Sequence, residues 1–219
     1  MSSFLRPVVV CGTDTDVGKT AVSAWLVQGL NATYWKPVQS GLDDGGDRGR
    51  IQTLLDLPDS RVLKEGYAFQ HPVSPHWAAE RDGVILDPET LTLPEVNGPL
   101  VVETAGGLMV PLTRRWLQLD QLKRWGCPIV LVARSGLGTL NHTLLSLEAL
   151  RQRQLPVLGI ILNGPPHEDN PRTLEQFGQV PVIAHLPPLA PLNAESLALQ
   201  WQRQTLSSTF ERLLQGQNR

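Results

Sequence analysis

The chain has 219 residues, 41% of them hydrophobic and 18% charged, which is enough to bury a proper core and excludes an intrinsically disordered protein. Its formal net charge of -2 excludes a broad basic surface for nucleic acid or anionic membrane, so its partners are expected to be small molecules. Cys11 and Cys127 lie in or at the start of apolar runs, and the histidines show no paired ligand spacing; buried thiols in a reducing compartment are expected, with neither a disulfide framework nor a zinc site.

Residues 1–7 lead straight into a short strand, without the apolar core of a secretion signal, and no apolar run approaches the roughly 20 residues that cross a bilayer. A single cytoplasmic domain over 1–219 is expected. The first element is an apolar strand at 8–11, followed by Gly12-Thr13-Asp14-Thr15-Asp16-Val17-Gly18-Lys19-Thr20 and a helical stretch over 21–30. A helix beginning near Gly18 offers free backbone N–H groups and the positive end of its dipole to an anion. Glycine there lets the main chain come close, Lys19 reaches the outer phosphates as a point charge, and the Thr20 hydroxyl suits a magnesium ion bridging them. The stretch reads as a phosphate-holding loop with one departure. The strict pattern has its first glycine where Thr13 stands, and here the glycine is Gly12.

A second strand over 33–35 delivers Lys36 straight from an apolar element, where a cation can neutralise an oxyanion in a water-poor site, and Ser40 follows it in a turn. Residues 43–47 form a polar loop that opens a helix running to residue 55. Asp47 in that loop is one of two carboxylates placed to join Thr20 around magnesium, a hard cation that takes oxygen ligands. Residues 72–81 read as a turn and a short helix lying over the ligand rather than in the sheet. The other carboxylate, Glu103, directly ends the strand over 100–102, where an acid is costly unless it is paired or bound to a metal.

Further strands at 129–133, 157–162 and 182–186 alternate with helical periodicity, and the tail over 193–214 is helical with Leu197, Trp201, Leu206, Phe210 and Leu213 on its buried side. Short continuous Val/Ile/Leu runs mark strands covered on both faces. They predict an α/β fold, a P-loop NTPase-like three-layer sandwich with a mostly parallel sheet and helices on both faces. Ligands in such folds sit outside the carboxyl ends of the strands, where this chain gathers its small, polar and charged residues.

Several of those stretches, in their order and spacing, resemble dethiobiotin synthetases. They are the phosphate loop, Lys36-Pro37-Val38-Gln39-Ser40-Gly41, Ser74-Pro75-His76, Glu103-Thr104-Ala105-Gly106-Gly107 and Gly138-Thr139-Leu140-Asn141-His142. The placement of Gly12 is the spacing that this family shows. The resemblance implies ATP-dependent closure of 7,8-diaminononanoate and CO2 to dethiobiotin in biotin synthesis, through a carbamate and its mixed anhydride with phosphate. Asp16, Val17, Gly18, Lys19, Thr20 and Ala21 would hold the phosphates of ATP, with Thr20, Asp47 and Glu103 around Mg2+. Lys36 would stabilise the carbamate and its phosphorylated form, a catalytic role shared with Lys19 and Thr20.

By the same resemblance Ser40 and Thr13 would contact the diamine, and Glu103, Thr104, Ala105 and Gly106 would line the phosphate and substrate site. Asn163 and Gly164, with the turn of Pro187, Pro188 and Leu189, would hold adenine. The family is a homodimer in which Gly138, Thr139, Leu140 and Asn141 would receive the carboxylate tail of the partner subunit's substrate. Gly164 stands where the family often has an acid, Thr104 where glycine is frequent, and Pro188 where an aromatic occurs. The alternative is a partition-type P-loop ATPase switch or another nucleotide-binding regulatory module. Such switches carry an additional lysine early in the loop, where this chain has Thr13-Asp14-Thr15, and would leave Lys36 and Ser40 unexplained.

Overall fold

The computed structural model describes residues 7–42 and 45–216; Asp43 and Asp44, part of the polar loop expected before the second helix, lie outside them. Six strands form the central sheet: β1 (Val8–Gly12), β2 (Thr33–Trp35), β5 (Leu100–Gly107), β8 (Ile129–Arg134), β9 (Val157–Asn163) and β10 (Val182–Leu186). Their order is β10-β9-β8-β1-β5-β2 and every neighbouring pair is parallel. The sheet is covered on both faces, as continuous apolar strands require. Strand alternation sorts the core into two layers: Val8 and Val10 face one and Val9 and Cys11 the other.

The first layer packs against α1 (Lys19–Gly29), α7 (Ala194–Arg203) and α8 (Leu206–Gly216). The second packs against α4 (Gln118–Trp125), α5 (Thr139–Gln152) and α6 (Asn170–Gly178) through Leu119, Leu122, Leu147, Leu150 and Leu174. Cys11 and Cys127 are buried thiols. Among the described residues no helix is long and apolar enough to cross a membrane.

Three local expectations are corrected. The strand expected over 100–102 continues to Gly107, pairing with β1 as far as Gly12, so Glu103 lies within it instead of ending it. Small residues at 105–107 look like a loop in sequence, yet pairing with β1 alone, beyond the end of β2, carries the strand on to Gly107. The segment after Lys36 is also strand: β3 (Val38–Ser40) pairs in parallel with β4 (Tyr67–Phe69). That pair lies outside the six-stranded sheet. With α3 (Pro75–Asp82) and the hairpin of β6 (Pro111–Thr113) and β7 (Trp116–Leu117), it closes over a satellite core of Val38, Phe69, Ala78, Leu91 and Leu112, while α2 (Gly46–Leu55) packs into the first layer through Ile51.

The tail is two helices instead of one, broken where Thr205 takes a positive φ of 50°. The break lets Phe210 of α8 stack on Trp201 of α7, which in turn packs on α1. Trp201 meets Trp25 edge-on at 6.1 Å and stacks on Phe210 at 5.6 Å, while Trp25 Nε1 donates to the Leu197 carbonyl at 2.9 Å. Leu214 is buried and Leu213 only partly so. Trp201→Ala is expected to lower the unfolding free energy by about 3–5 kcal/mol, the usual range for deleting a core aromatic, and to move the urea midpoint accordingly. A shift smaller than a third of that range would remove the tail from the core.

Candidate active site

The loop between β1 and α1 wraps back on itself. Gly12 ends β1 where a Cβ would lie 2.8 Å from the Asp14 carbonyl and 2.9 Å from Lys19 Nζ, so a side chain there would collide with the loop it starts. Lys19 Nζ donates to the Asp14 carbonyl at 2.8 Å, and Asp14 is held in turn by Arg134 at 3.1 Å. Burial pushes the Lys19 ammonium below the usual lysine range, against the pull of Glu103. Gly18 caps α1 in the left-handed region with φ 93°, and the first turn of a helix carries N–H groups that have no partner within the helix.

Four side chains from four elements converge beside it. Thr20, in the first turn of α1, faces Asp47 Oδ1 and Glu103 Oε1, each at 3.0 Å; its single hydrogen can serve only one of them at a time. Lys36, just past β2 and buried, donates to Asp47 Oδ2 and to Glu103 Oε1, the latter at 3.2 Å. Burial alone would lower the Lys36 pKa, but the Glu103 and Asp47 carboxylates outweigh it and hold the ammonium above its usual range. Burial likewise opposes ionisation of Asp47, and Lys36 overcomes it, leaving that carboxyl below its ordinary value. Glu103 is fully buried in β5. Its second oxygen, Oε2, accepts from the Tyr34 phenol at 3.0 Å.

Asp47 reaches the cluster because Gln39 of β3 accepts from its backbone N–H at 3.1 Å and ties Ser40 and Gly41 through its own amide. The start of α2 is thereby fixed against β3. The set of hard oxygens on Thr20, Asp47 and Glu103 suits magnesium, which takes one or two carboxylates and completes its shell with waters and substrate phosphates. Among the described residues there is no group of three or more His, Cys, Asp or Glu placed to hold a metal.

A cavity of about 790 Å³ opens over this cluster. Of the residues expected from the sequence, it is lined by Asp16, Gly18, Lys19, Thr20, Lys36, Ser40, Asp47, Glu103, Ala105 and Gly106. The turn of Pro72, Val73, Ser74 and Pro75, expected over the ligand, lines it too, as do Gln39, Arg50 and Val110, to which the sequence assigns no role. Ser74-Pro75 and Gln39 did stand in the stretches that carried the resemblance. Tyr34 was read only as strand; its signal is the period of two that puts it on the same side as Lys36.

Other expected residues lie elsewhere. Val17 is buried in the core, and its carbonyl accepts from Asn163 Nδ2 at 3.1 Å, so Asn163 braces the phosphate loop. Thr104 points away from Glu103 and Ala105, as alternation requires, and donates to the Val10 carbonyl at 3.2 Å. Ala21 packs against the core, and Thr13 is held by its backbone N–H to Val132 at 3.0 Å. Gly164, Pro187, Pro188 and Leu189 follow β9 and β10 outside the lining of this cavity. Gly138 caps α5 next to a fully exposed Leu137, with Thr139 buried and Asn141 exposed; neither they nor Leu140 line it.

The AAA domain family model matches residues 6–196. An ATP-dependent dethiobiotin synthetase of Rhodopseudomonas palustris (strain HaA2) is 52% identical over 192 residues, 88% of this chain and 90% of that protein. The biotin biosynthesis bifunctional protein of Bordetella avium (strain 197N) is 52% identical over 200 residues, which are 91% of this chain and 43% of the longer protein. Among solved structures, a ParA family ATPase from Chlorobium tepidum superposes with a TM-score of 0.56 at 13% identity, covering 98% of each chain. The septum site-determining protein MinD of Pyrococcus horikoshii, complexed with Mg-ADP, gives 0.51 at 17% identity, over 83% of this chain and 81% of that one. At such identities these two likenesses establish the fold alone. With half of its residues shared along nearly the full length of the synthetase from Rhodopseudomonas palustris, the chain belongs to the ATP-dependent dethiobiotin synthetase family.

Proposed function

We propose that the protein closes a cyclic urea on 7,8-diaminononanoate, using CO2 and MgATP and giving dethiobiotin, ADP and phosphate. The observation that carries this reading is the buried Lys36 beside Glu103, Asp47 and the loop's Thr20. A phosphate loop alone serves many nucleotide-binding proteins; a second lysine, delivered from β2 into the same cavity, suits a reaction with an anion to activate.

In this reading one amine of the substrate adds to CO2 and loses a proton, giving a carbamate. A carbamate oxygen attacks the γ-phosphorus and ADP leaves; the second amine then attacks the carbamoyl carbon and phosphate leaves. Lys19 and the N–H groups at the start of α1 hold the phosphates, and Asp16 and Gly18 shape the rim. Lys36 stabilises the carbamate and the negative charge on its phosphorylated form. Thr20, Asp47 and Glu103 would hold magnesium, which supplies charge neutralisation on the transferring phosphoryl group. Ser40, whose hydroxyl is buried without a partner, faces the diamine. Positioning and charge are the protein's main contributions, as is usual in phosphoryl transfer.

The reading extends to a single cytoplasmic domain, adenine held near Asn163, Gly164 and residues 187–189, and a homodimer in which residues 138–141 take the substrate carboxylate of the other subunit. Exposure of Leu137 and Asn141 at the start of α5 supports that last assignment. The test is a product assay. The protein is incubated with diaminononanoate, bicarbonate and MgATP, and dethiobiotin is expected by mass spectrometry. ATP hydrolysis without that product would instead point to a P-loop switch.

A further inference from the structure

Glu103 is fully buried, so each of its oxygens needs a partner. Oε1 faces the cavity, where Thr20 and Lys36 meet it at 3.0 and 3.2 Å. Oε2 points the other way, to the Tyr34 hydroxyl at 3.0 Å. The terminal torsion of a glutamate is broad and roughly two-fold. Without a partner for Oε2 the carboxylate would turn to share Lys36 between both oxygens.

The sheet supplies that partner by register. Tyr34 of β2 lies opposite Val101 of β5, and Glu103 is the next residue of β5 on the same side as Val101. A phenol is long enough to span that offset. Its ring is fixed in the core with no exposed surface, and its backbone is tied to Leu63 and bridged to Val62. The donor therefore arrives from a rigid element, on the side of the carboxylate away from the nucleotide.

We propose that Tyr34 is a positioning residue: by donating to Oε2 of Glu103 it keeps Oε1 turned to the cavity as the oxygen offered to the metal. This rests on the reading of Glu103 as a magnesium ligand. Partners of metal-ligating carboxylates commonly matter this much, since their loss costs about 10–100-fold in metal affinity.

The experiment is Tyr34→Phe, followed by titration of Mn2+ into the ADP complex with free Mn2+ read by electron paramagnetic resonance. The expected result is a metal dissociation constant raised about tenfold, at the low end of that range, with ADP affinity in the absence of metal unchanged. A residue that only filled the core would lower the melting temperature and leave the metal constant alone. A constant within twofold of the unmodified chain overturns the proposal. Absence of Mn2+ binding in the unmodified ADP complex overturns the metal reading of Glu103 together with it. Should Tyr34→Phe fail to fold, the full chain labelled with 3-fluorotyrosine carries two fluorine signals, from Tyr34 and Tyr67. Adding Mg2+ to its ADP complex is expected to shift the Tyr34 signal and leave Tyr67 in place; an unmoved Tyr34 signal overturns the proposal as well.

Discussion

Lys36→Ala is expected to lower kcat by about 10²–10³-fold, the effect of removing one preorganised charge-stabilising donor, while ADP affinity stays within a few-fold of the unmodified protein. In the proposed reading nucleotide binding rests on Lys19 and the loop, whereas Lys36 contacts Asp47 and Glu103. The substitution also has a structural consequence. It removes the cation paired with the fully buried Glu103, while Asp47 keeps Arg50 at 3.6 Å. Breaking a buried pair by deleting one partner costs about 3–5 kcal/mol, so the melting temperature of the free variant should fall. Magnesium, a cation for the same oxygens, should raise that temperature more in the variant than in the unmodified chain, because a ligand of the folded state stabilises it by mass action. Turnover and thermal unfolding, each with and without Mg2+, check both halves. Near-normal turnover would sink the role assigned to Lys36.

That double role explains which parts of the site could be read from the residues. Thr20, Lys36, Asp47 and Glu103 each follow or interrupt a strongly marked element, and the structure brings them together. Strands over 33–35 and 182–186 were legible to the residue, since short β-branched and aromatic runs between turn residues leave little choice. The continuation of β5 through Ala105, Gly106 and Gly107 was not, because small residues have no strand preference of their own and only pairing with β1 holds them there. Once that continuation is known, alternation alone turns Thr104 to β1 and Ala105 to the cavity. The split of the tail at Thr205 has no glycine or proline to announce it; its signal is tertiary, the stacking of Phe210 on Trp201, which itself meets Trp25 of α1. The residues assigned to adenine and to a second subunit came from family resemblance, and nothing inside a single chain's cavity marks them.

Gly18→Ala is expected to reduce kcat/KM for ATP by on the order of 10²-fold, as displacements of about 1 Å at a reacting site can do. Two effects act at this position. Gly18 has φ 93° and ψ 25°, where a side chain costs roughly 1–2 kcal/mol through its contact with the following carbonyl. In addition, a Cβ there would lie 2.1 Å from Asn163 Nδ2 and 2.6 Å from its Cγ, so something must move. If Asn163 swings aside, the Val17 carbonyl loses its 3.1 Å donor; if the loop gives way, the N–H groups that open α1 leave the place where phosphate would sit. The double variant Gly18→Ala/Asn163→Ala separates the two, since it removes the collision and keeps the strained backbone. Partial recovery of kcat/KM is expected in the double variant. No recovery would assign the whole loss to the backbone angle, and unimpaired turnover in the single variant would show that the close approach of main chain at Gly18 is not what holds the nucleotide.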